Sequence, residues 1–169
     1  MLINIIIDVV LFIVFIGCTL LLLLKKYLRS EYEYIFYTDE VLKVEEVNGL
    51  TNYLSKLTKS IILCGDLNCA PSKKDAGIWC LAGCSPEERK AFKDKENLGL
   101  VDVFRRLNPL DIDYTWYSNR SKIKDKGLRL DEFLISENLM EKVISFRHIH
   151  EENLVNGSDH IPIELNINL

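Results

Sequence analysis

The chain has 169 residues, enough for one ordinary domain or for a domain with an anchor, and its charged fraction of 27% is that of a globular protein. A net charge of −4 excludes a uniformly basic nucleic-acid binder, so any such face must be local. The five cysteines, Cys18, Cys64, Cys69, Cys80 and Cys84, are odd in number and form no C-x-x-C pair, which argues against a disulfide framework or a zinc site and for a reducing compartment.

From Leu2 to Leu24 the chain is apolar apart from Asn4, Asp8, Thr19 and the small Gly17 and Cys18. This length suits a helix that crosses a bilayer, so residues 1–26 are expected to form a transmembrane helix with residues 3–24 in the membrane. Lys25, Lys26 and Arg29 follow at once, which would leave the rest of the chain in the cytosol. Residues 27–38, rich in tyrosine and charge, read as a linker, and residues 39–169 as the folded domain. From Asp39 to Leu57 apolar positions recur every three or four residues (Val41, Val44, Val47, Leu50, Leu54, Leu57), an amphipathic helix with Thr38 or Asp39 as N-cap. Gly49 weakens it slightly.

The helix leads into Ile61-Ile62-Leu63-Cys64-Gly65-Asp66-Leu67-Asn68. Four apolar residues make a buried run of strand length, broken by Gly65 just before an Asp and an Asn with one residue between them. In an extended backbone both side chains point the same way. A carboxylate and an amide oxygen at a strand mouth are hard ligands suited to Mg²⁺; the same residues also form ordinary turns. A polar loop from Ala70 to Gly77 follows. Ser85, Pro86 and Glu88 then make a helix start with a capping box, and the helix is expected to run to about Asn97, before Gly99. Leu100, Val101, Val103 and Phe104 should pack beneath it, and Asn108-Pro109 marks a turn.

Tyr114 to Ser118 reads as a strand by its aromatic and β-branched content. Arg120, Lys122, Lys124 and Lys126 alternate after it, either a local phosphate-binding footprint or a solvated loop. Leu128 to Ile135 reads as a strand carrying Asp131 in an apolar setting, where a carboxylate needs a partner or a metal. His148 and His150 read as structural or exposed. Gly157-Ser158-Asp159-His160 enters a strictly alternating run, Ile161 to Leu169, a half-buried strand with Pro162 at its start or on an edge.

The unusual polar residues are therefore Asp66, Asn68, Asp131, Asp159 and His160, each at a strand end or inside an apolar strand. Strand ends along one sheet edge converge, so scattered residues can build one site. Oxygen ligands for a divalent ion, a second carboxylate and an imidazole are the parts needed to hydrolyse a phosphodiester.

From about Leu50 to Leu169 the chain resembles the C-terminal half of exodeoxyribonuclease III-type apurinic/apyrimidinic (AP) endonucleases, within the endonuclease/exonuclease/phosphatase superfamily. The stretches that carry the resemblance are IILCGDLNCA (61–70), SPEERKAF (85–92), GLVDVF (99–104), YTW (114–116), GLRLD (127–131) and GSDHIPI (157–163). It implies an α/β fold, half of a four-layered α/β sandwich, and a Mg²⁺-dependent phosphodiesterase, with Mn²⁺ as a substitute, that cleaves double-stranded DNA at abasic sites. By resemblance Asp66 activates water, Asn68 bonds the developing charge, Asp131 holds the ring of His160, and Asp66, Asn68, Asp159 and His160 contact metal or phosphate. Trp116 and Arg120 would contact the nucleic acid. The family locates such proteins in nucleus or cytoplasm.

The family's first half brings an N-x-N-G-x-R stretch, an L-Q-E stretch with a metal-binding Glu, and a catalytic Tyr. The first and third are not recognisable here. Val44-Glu45-Glu46 faintly matches the second, but the helical periodicity running through it favours a helix. Two other readings stand beside the nuclease: a catalytically inactive truncated fragment or mis-assembled gene product, with or without a membrane tether, and a lipid phosphodiesterase of the same superfamily. A half-sandwich is also expected to expose an apolar sheet face.

Overall fold

The computed structural model describes residues 2–7, 32–38, 44–77, 85–117, 127–150 and 158–169. Its centre is strand β3, Ser60–Asp66, formed by the apolar run read above. Alternation along β3 decides the layers. Ile62 and Cys64 face one way and pack with Phe133, Ile135, Ile163, Leu165 and Ile167. Ile61 and Leu63 face the other way and pack with Leu54, Phe92, Leu100 and Leu134.

Two sheets follow from this. One has the order β2-β3-β7-β4, where β2 is Tyr32–Thr38, β4 Leu100–Asp102 and β7 Asp131–Ser136. The other has the order β1-β9-β8, where β1 is Leu2–Ile7, β8 Val143–His148 and β9 Ile163–Asn168. Helices α1 (Val44–Leu54) and α2 (Pro86–Glu96) supply Leu54 and Phe92 to the first sheet's far face. The order helix, sheet, sheet is part of an α/β sandwich. A short helix α3 (Val103–Leu107) and a hairpin of β5 (Trp116–Tyr117) with β6 (Gly127–Leu128) complete the described elements.

Sequence expectation holds at the second helix. The Ser85 hydroxyl accepts from Glu88 N at 3.1 Å and the Glu88 carboxylate accepts from Ser85 N at 2.7 Å, the reciprocal capping box. Val44-Glu45-Glu46 lies in α1, as the periodicity requires. The strand expected over Leu128 to Ile135 is two strands. Between them Arg129 N donates to Asp75 O and Leu130 N to the Thr115 hydroxyl, so the backbone leaves one ladder before joining the next.

The N-terminal expectations need correction. Leu2–Ile7 is not the start of a helix but a strand paired antiparallel to β9, from Leu2 opposite Asn168 to Ile7 opposite Ile163. Its physical reason is composition: four isoleucines in six residues favour an extended chain, and the edge of β9 satisfies their backbone groups. The rest of the expected transmembrane segment, residues 8–26, lies outside the described residues, and among those described no helix is long and apolar enough to cross a membrane. In the segment read as a linker, Tyr32–Thr38 forms β2, parallel to β3. The outer face expected to be apolar is mixed along the described part of β8 and β9, with Ile144 exposed beside polar groups. There Glu164 pairs with Arg147 at 2.8 Å, and Asn166 and Asn168 share its alternation.

Candidate active site

The site is built at the end of β3 by its antiparallel partner β7. Their register sets Asp66 opposite Asp131, so two carboxylates meet at one sheet edge. Gly65, one residue earlier, has φ 132, a backbone that only glycine adopts readily, and it turns the strand end so that Asp66 stands at the mouth. Asn68 has φ 48, a left-handed conformation that asparagine tolerates, and its backbone N–H donates to Asp66 Oδ1 at 2.8 Å. This local turn fixes one carboxylate oxygen of Asp66.

Asp131 is fully buried. Its Oδ2 lies 2.9 Å from His160 Nδ1, where a protonated ring nitrogen donates to it, while its Oδ1 is buried without a hydrogen-bond partner. That pairing leaves His160 Nε2 facing Asp66 Oδ2 at 3.9 Å. Sequence analysis did not single out Thr115. Its buried hydroxyl accepts from Leu130 N and Asp131 N, each at 3.0 Å, and its carbonyl accepts from Ile161 N, so it ties the mouth of β7 to the segment bearing His160. No local pattern marks a threonine for such a role; only the long-range contacts do.

Asp159 and Trp116 are coupled directly. The indole N–H of Trp116 donates to Asp159 Oδ2 at 2.8 Å, Tyr117 N donates to Asp159 O, and Trp116 bridges to His160. Asp66, Asn68, Asp131, Asp159, His160 and Trp116 are thus brought together. Arg120 and the basic run after it lie outside the described residues.

Crowding sets the electrostatics. Burial, and then the charge of Asp131, push the Asp66 carboxyl up to about 6, against the lowering effects of the Asn68 N–H and His160, with Asp159 raising it further. Burial opposes the charged form of His160, but the hydrogen bond and charge of Asp131, with Asp66 and Asp159, hold its pKa above the ordinary value. Three carboxylates surround one imidazole. This excess of negative, oxygen-rich ligand at a largely buried mouth that still reaches solvent fits a hard divalent cation such as Mg²⁺. Asp66, Asn68 and Asp159 would hold it from the mouth, while buried Asp131 serves the imidazole.

The chain is similar to proteins of known kind. An exodeoxyribonuclease of Bacillus subtilis is 40% identical over 130 residues, covering 72% of this chain and 50% of the relative. A solved AP endonuclease from Archaeoglobus fulgidus superimposes with a TM-score of 0.68 at 27% identity, covering 75% of this chain and 53% of that one. Over the matched residues the chain is a relative of the exodeoxyribonuclease III-type AP endonucleases. The 3′ phosphatase NExo from Neisseria, solved bound to a product DNA hairpin, matches with a TM-score of 0.63 at 26% identity over 73% of this chain and 51% of its own. No family model matches. The chain spans about half the length of the curated exodeoxyribonucleases it matches, and this partial coverage fits the C-terminal half of the AP endonuclease type.

Proposed function

We propose that the chain carries the C-terminal half of the active site of a divalent-metal-dependent DNA phosphodiesterase that cleaves at abasic sites, with Mg²⁺ as the metal and Mn²⁺ as its substitute. The observation that carries the reading is the Asp66, Asp131 and His160 cluster across β3 and β7, formed from the residues that the resemblance selects. A carboxyl raised to about 6 is ionised near neutral pH yet remains basic enough to take a proton from an attacking water. Asp131 orients His160 and favours its protonated form, whose outward Nε2–H is placed to donate to a phosphoryl oxygen. Asn68 adds its amide beside Asp66. A bound divalent ion would neutralise the phosphate and stabilise the leaving oxygen. Trp116, anchored through Asp159, lies at the rim where a base-less sugar would be received, and Arg120 would reach the backbone beyond it.

The similar proteins support the DNA substrate, since they are an exodeoxyribonuclease, an AP endonuclease and a 3′ phosphatase solved with product DNA. A second reading, a chain that is inactive by itself, is favoured by one observation: this sequence has no recognisable N-x-N-G-x-R stretch and no recognisable catalytic Tyr stretch. One assay separates the two. Purified protein is incubated with a duplex containing one abasic site and Mg²⁺, beside an Asp66→Ala control. Cleavage lost in the control and abolished by chelation is the expected result; wild-type protein no faster than Asp66→Ala establishes the inactive reading.

A further inference from the structure

Asp113, His148 and His150 share no residue with the cluster just described, yet they form a second convergence of metal-ligating groups. His148 Nδ1 lies 2.8 Å from Asp113 Oδ2, and His150 Nε2 lies 3.0 Å from Asp113 Oδ1 and 3.1 Å from Oδ2. One ligand atom from each residue falls within 4.8 Å of the other two. We propose that these three side chains form a binding site for a transition-metal ion of the Zn²⁺ type, separate from any Mg²⁺ held near Asp66.

Ligand chemistry selects the ion. Two imidazoles and a carboxylate suit Zn²⁺ and its neighbours, whereas Mg²⁺ prefers oxygen and retained water. Donors about 2.0–2.2 Å from Zn²⁺ in a tetrahedron stand roughly 3.3 Å apart, so the two Asp113–His separations need to open by only a few tenths of an ångström, and the two imidazoles already lie within the 4.8 Å common to the group. The donors are also preorganised. The His148 side chain has no solvent exposure, and its ring stacks on Phe104 at 4.7 Å and meets Phe146 edge-on at 5.4 Å. Asp113 is held by the N–H of Tyr114, which donates to its Oδ1 at 3.0 Å. His150 and Asp113 remain 45% and 33% exposed, which gives the ion an entry path and room for water as a fourth ligand. The two segments involved are far apart in sequence: Asp113 lies in the loop leading to Thr115 and Trp116, and the histidines lie at and beyond the end of β8. A bound ion would pin that loop to the sheet.

Co²⁺, which reports tetrahedral nitrogen and oxygen ligation by its visible absorption, provides the test. Full-length protein carrying Asp66→Ala, which removes the mouth carboxylate, is titrated with Co²⁺ and then with Zn²⁺ as competitor. The expected result is one equivalent of Co²⁺ with tetrahedral bands, displaced by Zn²⁺. Adding His150→Ala or Asp113→Asn should weaken binding by more than the roughly 100-fold that loss of an outer partner costs. Both changes fall on partly exposed side chains. Absence of the bands in the Asp66→Ala protein, or their survival in either double variant, overturns the proposal.

Discussion

Asp66 is under two opposed demands, because the position that makes it useful also penalises its charge. Burial and Asp131 raise its carboxyl to about 6, above the roughly 3.9 of an unfolded Asp. The folded state therefore binds this proton more tightly than the unfolded state does, and stability falls as pH rises between those two values. Above them the ionised carboxylate costs up to about 3 kcal/mol, with little discount for screening because the side chain is only 14% exposed. Asp66→Asn removes that cost. In chelator-containing buffer the variant should be more stable than wild type by a few kcal/mol near about pH 8 and equal to it near about pH 4, read by denaturant unfolding. A gap that does not change with pH would show that Asp66 carries no such penalty. At this scale the sequence was informative wherever chemistry broke a pattern: Asp66, Asn68, Asp131, Asp159 and His160 stand out as polar groups at strand ends. Thr115 and the Asp113, His148 and His150 group do not, since their meaning lies in contacts 15 to 37 residues away along the chain.

Among the elements, the hairpin of β5 and β6 depends on a close approach that only Gly127 permits. A Cβ there would stand 2.5 Å from Tyr114 Cδ2 and 2.6 Å from Tyr114 Cβ. Tyr114 adjoins Thr115, whose hydroxyl holds the start of β7, and Trp116, whose indole holds Asp159. Gly127→Ala should therefore cost about 1–3 kcal/mol through overpacking, and it should disturb the Trp116 environment more than the core. Thermal unfolding reads the first effect and tryptophan fluorescence the second. Unchanged stability would mean that Tyr114 moves aside freely. Helix legibility followed capping chemistry: the Ser85, Pro86 and Glu88 signal gave α2 its start, and the three-to-four spacing gave α1. At Leu2–Ile7 the apolar run misled because periodicity cannot separate a buried helix from an extended run, and what decides those six residues is the edge of β9 at the other end of the chain.

Across the molecule, a buried ion network joins parts that no local pattern connects. Arg129, with no solvent exposure, donates from Nε to Asp75 Oδ1 at 2.7 Å and from Nη2 to Asp102 Oδ2 at 2.6 Å. Arg105 in the middle of α3 reaches the same Asp75 oxygen at 2.5 Å, and the Ser72 hydroxyl donates to the other at 2.6 Å. The turn after β3, the β4–α3 junction and the β6–β7 junction are thereby locked together, which positions the strand mouths that bear Asp66 and Asp131. Each segment is legible by itself but this cross-link is not, for a buried arginine looks like a surface one until its carboxylates are known. Burial opposes the Asp75 carboxylate, yet the charge and hydrogen bonds of Arg129, with Ser72 and Arg105, hold its pKa below the ordinary value. A depressed carboxyl contributes stability that is fully present above the unfolded value of about 3.9 and is lost as pH falls through the folded one. Asp75→Asn leaves Arg129 buried with part of its charge uncompensated and should cost about 3–5 kcal/mol at neutral pH. As pH falls below about 4 toward and through the folded value, wild type loses that contribution progressively, so the gap should be smaller at about pH 3 than at neutral pH. Denaturant midpoints measured at both pH values decide the matter: a difference that persists undiminished in acid would place the stabilising role of Asp75 in packing rather than in its charge.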